Sequence, residues 1–276
     1  MTDFSDVDTL AVSTDEHVAT AELIGTGKGN SLGPAFWEEA AGAFDALDGR
    51  DDVRVIVARG RGENFSYGLD LKSASQELMP KISGNNLAKD RTELHDMIRE
   101  WQQACTSIAE CRKPVVAAID GWCIGGGINV IAACDIRVCS AEATFSLREP
   151  RIAITPDLGA LQRLPDIIGE GATRLMAFTA ADYDADFALE CGLVEQVFAD
   201  REALDEGVAE IAGQIAENAP LAVQGTKQVL NYCKDASDQA GLEYVATWNS
   251  AFLQSQDLGE AFAAFAQGRD PEFEGE

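Results

Sequence analysis

The sequence predicts an α/β protein, a sheet flanked by helices, with an all-helical region at its C-terminal end. Three observations carry this. Short apolar runs bounded by turn residues alternate with helical apolar patterns over residues 1–200. The most apolar stretch, KPVVAAIDGWCIGGG at 113–127, reads as a buried strand that runs into three consecutive glycines. Beyond residue 200 only helical spacing remains, with no strand pattern between the helices.

Residues 9–13 and 17–24 read as strands. Residues 35–47 read as a helix with Phe36, Trp37, Ala40, Phe44 and Leu47 on one face, opened by Gly33-Pro34 and closed at Gly49. A strand at 53–58 leads into the turn GRGENFSYG, and the polar stretch with Pro80 and Gly84 is expected as a loop. A long helix at 87–110, a strand at 115–119, a short helix at 126–134 and strands at 136–140 and 144–147 complete the alternation. Helices follow at 201–217, 220–234, 237–256 and 257–267. Phe252, Leu253, Leu258, Phe262 and Phe265 give them apolar faces suited to folding back on the core or to meeting another subunit. The expected division is a core at 1–200 and a helical region at 201–276.

Composition narrows the function. With 46% hydrophobic residues the chain has material for a sizeable core. A formal net charge of −26 repels nucleic acid and anionic membranes at long range, so neither is expected as a partner. No apolar run is long enough to span a bilayer, and the acidic start MTDFSDVDTL lacks the basic and apolar regions of a signal peptide. A cytoplasmic protein is expected. Seven cysteines without a CxxC pair, several inside apolar runs, read as small buried hydrophobes rather than zinc ligands. The two histidines, His17 and His95, are too few for a multi-histidine metal site and lie away from any nucleophile motif. No metal is expected, and acid–base chemistry must rest mainly on carboxylates.

Three stretches carry the chemistry. Gly125-Gly126-Gly127 sits at a strand-to-helix junction, where glycine permits close approach to the backbone and a helix N-terminus offers free N–H groups. A dinucleotide fingerprint would need glycine at position 130, which is Val130, and no P-loop Gly-Lys-Ser/Thr follows. The motif is either a ligand-facing turn or a purely structural one. The second stretch, FSYGLDL at 65–71, bends at Gly68, leaves the Leu69 N–H as a possible second donor, and places Asp70 to cap a following helix. Two N–H groups aimed at one point would hold an oxygen that gains negative charge during reaction. The third, FSLREPRIAITPDLGALQRL at 145–164, holds Glu149 and Asp157 in apolar, Pro/Gly-punctuated surroundings. They are either proton-transfer groups with raised pKa or loop carboxylates bonded to Arg148, Arg151 or Arg163.

Together these motifs resemble the crotonase (enoyl-CoA hydratase/isomerase) superfamily. The resemblance runs over nearly the whole chain, from GNSL at 29–32 through FSYGLDL, KPVVAAIDGWCIGGG, ACDIR at 133–137 and ITPDLGALQRLP at 154–165 to DLGEAF at 257–262 and GRDPEF at 268–273. It implies a spiral of ββα turns, a C-terminal helical region that builds homotrimers or dimers of trimers, and an acyl-CoA thioester ligand, with no cofactor beyond the coenzyme A of the substrate. By matched position, Leu69 and Gly126 supply the oxyanion-hole N–H groups. Ser66, Gly68, Asp70, Leu71, Lys72, Gly125 and Arg269 fall at positions that bind substrate or coenzyme A. For Lys72 and Arg269, plain solvated surface charge is the equal alternative. Hydratases of the family use two glutamates, and the matching positions here are Asn129 and Glu149. GGGINVIAACDIRVCS and ITPDLGALQRLP are most similar to the dienoyl-CoA isomerases, which move a 3,5-diene to a 2,4-diene with acids matching Glu149, Asp157 and an aspartate at the place of Asn129. The implied function is double-bond isomerisation with Glu149 as acid/base, Asp157 as a second acid and Asn129 as an orienting amide. The alternatives are a 2-enoyl-CoA hydratase and a non-catalytic CoA-ester-binding or scaffold protein.

Overall fold

In the computed structural model, which describes residues 7–83 and 87–276, the apolar runs become strands β1 (Leu10–Asp15), β2 (Val18–Leu23), β3 (Val55–Gly60), β4 (Val115–Ile119), β5 (Trp122–Ile124), β6 (Ile136–Ser140), β7 (Thr144–Ser146), β8 (Tyr183–Asp184) and β9 (Gln196–Phe198). One sheet runs β1-β2-β3-β4-β6-β9, antiparallel between β1 and β2 and parallel thereafter. A smaller sheet runs β5-β7-β8. After β4 and after β6 the chain turns and lays a short second strand, β5 or β7, in the smaller layer. After β3 it does the same with Ser66, which bridges to Cys123 of β5. Successive turns therefore stack as a spiral.

The helices are α1 (Pro34–Asp48), α2 (Leu71–Ile82), α3 (Ala88–Glu110), α4 (Gly126–Ile131), α5 (Ala160–Thr179), α6 (Ala185–Glu190), α7 (Arg201–Ala216), α8 (Pro220–Cys233), α9 (Asp238–Phe252) and α10 (Gln256–Gln267). Strand periodicity sorts the core into two faces. Ile56 and Ala58 of β3 face the main core with Phe36 and Phe44 of α1 and Cys105 and Ile108 of α3. Val55 and Val57 face the other way, with Val116 and Val138, onto Leu204, Val208 and Ala212 of α7. Burial on both sides is why β3 and β4 read as continuous apolar runs rather than as alternation.

The structure departs from expectation in three places. Helix α7, grouped with the tail by composition, is the outer cover of the large sheet, so the boundary at residue 200 cuts through the core. The expected loop is helix α2: Asp70 caps it by accepting from the Lys72 N–H at 3.0 Å, and Pro80 sits inside its last turns. Gly84, the other marker of that loop, lies outside the described residues. Helices α5 and α6 and strands β5, β8 and β9 have no counterpart among the expected elements. In α5 the helical pattern is broken at Gly169 (φ 75°), which hides the continuity of the two halves.

Polar anchors fix the turns that matter. The buried Lys113 ammonium donates to the carbonyls of Leu47 (3.0 Å), Asp48 (2.8 Å) and Arg50, closing the C-terminal end of α1. The buried Asn30 amide donates to the Leu23 and Phe65 carbonyls at 3.1 and 2.8 Å, tying the GNSL segment to the FSYGLDL turn.

Candidate active site

Two glycine turns touch. Gly68 stands at φ 77° and Gly125 at φ 52°, backbone states that L side chains rarely adopt. A Cβ on Gly68 would lie 2.6 Å from the Ile124 carbonyl oxygen and 2.8 Å from the Gly126 nitrogen. Glycine at 68 is therefore what lets the turns meet. Ladder bonds flank Leu69 without using it: Leu32 N–H donates to Gly68 O at 2.7 Å and Asp70 N–H to Leu32 O at 2.8 Å. Gly125 N–H donates to Ser146 O at 2.9 Å, which leaves Gly126 N–H as the first amide of α4. Among the described residues neither the Leu69 nor the Gly126 N–H has a protein acceptor.

Glu149 opens a 3-10 turn, Glu149–Ile152, directly after the strand pair that carries Gly125. A Cβ on Gly125 would lie 3.6 Å from the Glu149 Cδ and Oε2 atoms. Oε1 accepts from Asn129 Nδ2 at 3.1 Å, whereas Oε2 is buried without a partner. Burial pushes the Glu149 carboxyl above its ordinary range. Its own backbone N–H and the Asn129 amide pull it back, and the negative charge of Asp157 adds to the rise. Burial likewise raises Asp157. The alternative in which arginines neutralise these carboxylates does not hold. Arg148 pairs with Asp182 at 2.7 Å and lies 4.8 Å over the Trp122 ring, and no ion pair reaches Glu149 or Asp157 among the described residues.

These groups line one cavity of about 520 Å3. Leu69, Leu71, Gly125, Gly126, Asn129, Glu149 and Asp157 are on its wall, as the sequence suggested. The rest of the expected set is not. Ser66 is fully buried, and its hydroxyl donates to Asn30 O and accepts from Gly68 N–H, so it shapes the turn rather than meeting a ligand. Gly68 packs behind Leu69, and Asp70 is the cap of α2. Lys72 is exposed on the first turn of α2. Arg269 is held by Glu260 through contacts of 2.5 and 2.9 Å, away from the cavity wall. Sequence reasoning missed the apolar wall: Trp37 of α1, and Leu94, Met97, Ile98 and Trp101 of α3. Their helical spacing is that of ordinary core faces, and no sequence signal separates the two roles. Among the described residues the buried side-chain polar atoms without a partner are Trp37 Nε1, Trp101 Nε1 and Glu149 Oε2, and all three residues line this cavity.

Residues 14–276 match the family model described as enoyl-CoA hydratase/isomerase. A protein of Arabidopsis thaliana named Delta(3,5)-Delta(2,4)-dienoyl-CoA isomerase, peroxisomal, is 46% identical over 88% of this chain and 88% of its own length. The mitochondrial enzyme of that name from Mus musculus is 39% identical over 94% of this chain and 79% of its own length. The crystal structure of an enoyl-CoA hydratase from Bacillus anthracis superposes with a TM-score of 0.87 at 30% identity, covering 98% of this chain and all of that one. The expected cytoplasmic location is corrected by these relatives, whose names place them in the peroxisome and the mitochondrion. An acidic start without a secretory pattern was too narrow a basis for it.

Proposed function

Because the chain belongs to the enoyl-CoA hydratase/isomerase family, we propose that it is an acyl-CoA isomerase that shifts double bonds in a dienoyl- or enoyl-CoA thioester, with Glu149 as acid/base. The thioester oxygen sits between the Leu69 and Gly126 N–H groups. Glu149 takes a proton from the carbon α to the thioester, the electron pair delocalises onto the oxygen as an enolate conjugated with the remaining double bonds, and a proton returns at the far end of the conjugated system. Asp157 is the second acid. The observation that carries this reading is the buried, unpartnered Glu149 Oε2 beside two unused main-chain donors in an apolar cavity. Isomerisation is favoured over hydration because the place of the second hydratase carboxylate is taken by Asn129, an amide whose hydrogens go to Gly125 O and Glu149 Oε1 and which cannot take up and return a proton as a carboxylate does.

Coenzyme A enters as part of the substrate, with Lys72 and Arg269 as the cations for its phosphates. Exposed apolar side chains on the tail, such as Phe262 and Phe265 of α10, support assembly as a homotrimer or dimer of trimers. Light scattering on purified protein tests that assembly. The activity is tested by offering 3,5-dienoyl-, 3-enoyl- and 2-enoyl-CoA and following bond migration against water addition. Migration is expected. Hydration alone would reject the isomerase, and ester binding without turnover would favour a non-catalytic role.

A further inference from the structure

Asn129 is fastened at every polar atom. Its Oδ1 accepts from the Ala160 N–H at 2.8 Å, at the start of α5. That bond fixes which way the amide faces, since an N–H can be met only by the oxygen. The two Nδ2 hydrogens then go to Gly125 O and to Glu149 Oε1, each at 3.1 Å. Asn129 therefore has no proton to give up and no lone pair turned toward Glu149. It can act on that carboxyl in one way only, by donating.

We propose that Asn129 is a positioning residue that biases Glu149 toward ionisation, against the opposing effect of its burial, and leaves Oε2 as the oxygen that moves the proton. This rests on the base role of Glu149 proposed above. A donor pointed at Oε1 favours carboxylate over carboxylic acid. It also occupies one oxygen, so the proton abstracted from substrate has a single place to go. The Glu149 backbone N–H also favours ionisation, but among the side chains around Glu149 Asn129 is the donor. Asp157, on the loop before α5, adds negative charge and opposes ionisation. Arg148 is engaged by Asp182 and Trp122. Arg151, in the same turn as Glu149, is exposed and lines the same cavity, but no ion pair within 4 Å joins the two. The Gly125 carbonyl anchors the amide from below, so the oxyanion turn and the base are held by one side chain.

Asn129→Asp is the informative substitution. It is nearly isosteric, and one carboxylate oxygen still meets the Ala160 N–H. The other replaces the donor with a second carboxylate about 3 Å from Glu149 Oε1, and two acids that close share a proton. Asn129→Leu removes the donor without adding charge and serves as the second variant. Glu149 is titrated directly by infrared spectroscopy on protein carrying 13C-labelled glutamate, reading the C=O stretch of the protonated side chain, with Glu149→Gln as the blank. The Glu149 midpoint is expected to rise by about one pH unit or more in both variants. In Asn129→Asp the acidic limb of the kcat/KM profile is expected to move to higher pH with it. Unchanged midpoints in folded variants would overturn the proposal. Because the titration needs no turnover, it separates the two claims: a shifted midpoint in a protein that turns over no acyl-CoA would sink the isomerase reading, and with it the proton-moving role of Oε2, while leaving standing that Asn129 favours ionised Glu149.

Discussion

Replacing Gly68 by alanine tests whether the meeting of the two turns makes the site. At φ 77° an L-residue costs about 1–2 kcal/mol. The new Cβ would fall 2.6 Å from the Ile124 oxygen, and both nearest neighbours are backbone, so no side chain can swing away. To reach an ordinary contact of 3.4 Å the turns must part by on the order of 0.8 Å. That displacement separates the Leu69 N–H from the Gly126 N–H. A misplacement near 1 Å can cost about 10²-fold, and losing one oxyanion donor about 10²–10³-fold. We therefore expect Gly68→Ala to lower kcat/KM by roughly 10²-fold, mainly through kcat. The melting temperature should fall by about 2–6 °C. The assay is the absorbance of the 2,4-dienoyl thioester, whose conjugation extends to the carbonyl, alongside a thermal melt by circular dichroism. A variant that melts lower yet turns over within about threefold of the parent would refute the idea that these two amides act as a pair.

The Glu149 site should also cost stability. Burial raises its folded-state pKa, so the folded protein favours the protonated form, and that contribution is present below the ordinary glutamate range and lost as pH rises through the folded value. Glu149→Gln is thus expected to melt higher than the parent at neutral pH, with the gap closing in acid, and a gap independent of pH would contradict the assignment. Lys113→Met removes the donor that serves three carbonyls at the end of α1 and should destabilise by about 2–4 kcal/mol in urea unfolding. A change under about 0.5 kcal/mol would show that water replaces the ammonium there. Asp157→Asn should slow isomerisation by about tenfold or more if Asp157 is the second acid, with binding of the ester preserved.

Strands β3 and β4 were readable from the sequence because burial on both faces gives continuous apolar runs such as VVAAI at 115–119, whereas the two- and three-residue strands β5, β8 and β9 are too short to leave a pattern. Helix α7 was read as a helix but assigned to the tail, since periodicity shows that a face is apolar and not which sheet it covers. Helix α2 was lost behind Pro80, and α5 behind the reversal at Gly169, where local propensity yields to tertiary packing. Glu149 and Asp157 stood out as carboxylates in apolar context and Asn129 only through the family resemblance, and the direction of the Asn129 amide depends on the Ala160 N–H, a contact made only by folding. Ser66 was placed in the site by family position alone, and the sequence could not show that its hydroxyl satisfies two backbone groups of the turn. Trp37 and Trp101 were indistinguishable from core, and only the cavity beside them reveals a second role.

The rate of bond migration in Glu149→Gln, measured beside its affinity for the same dienoyl-CoA, tests the central claim most directly. With the oxyanion turns intact and the base removed, turnover is predicted to fall by about 10²–10⁴-fold while affinity stays near that of the parent. Undiminished turnover would place the proton transfer on another residue and contradict the account.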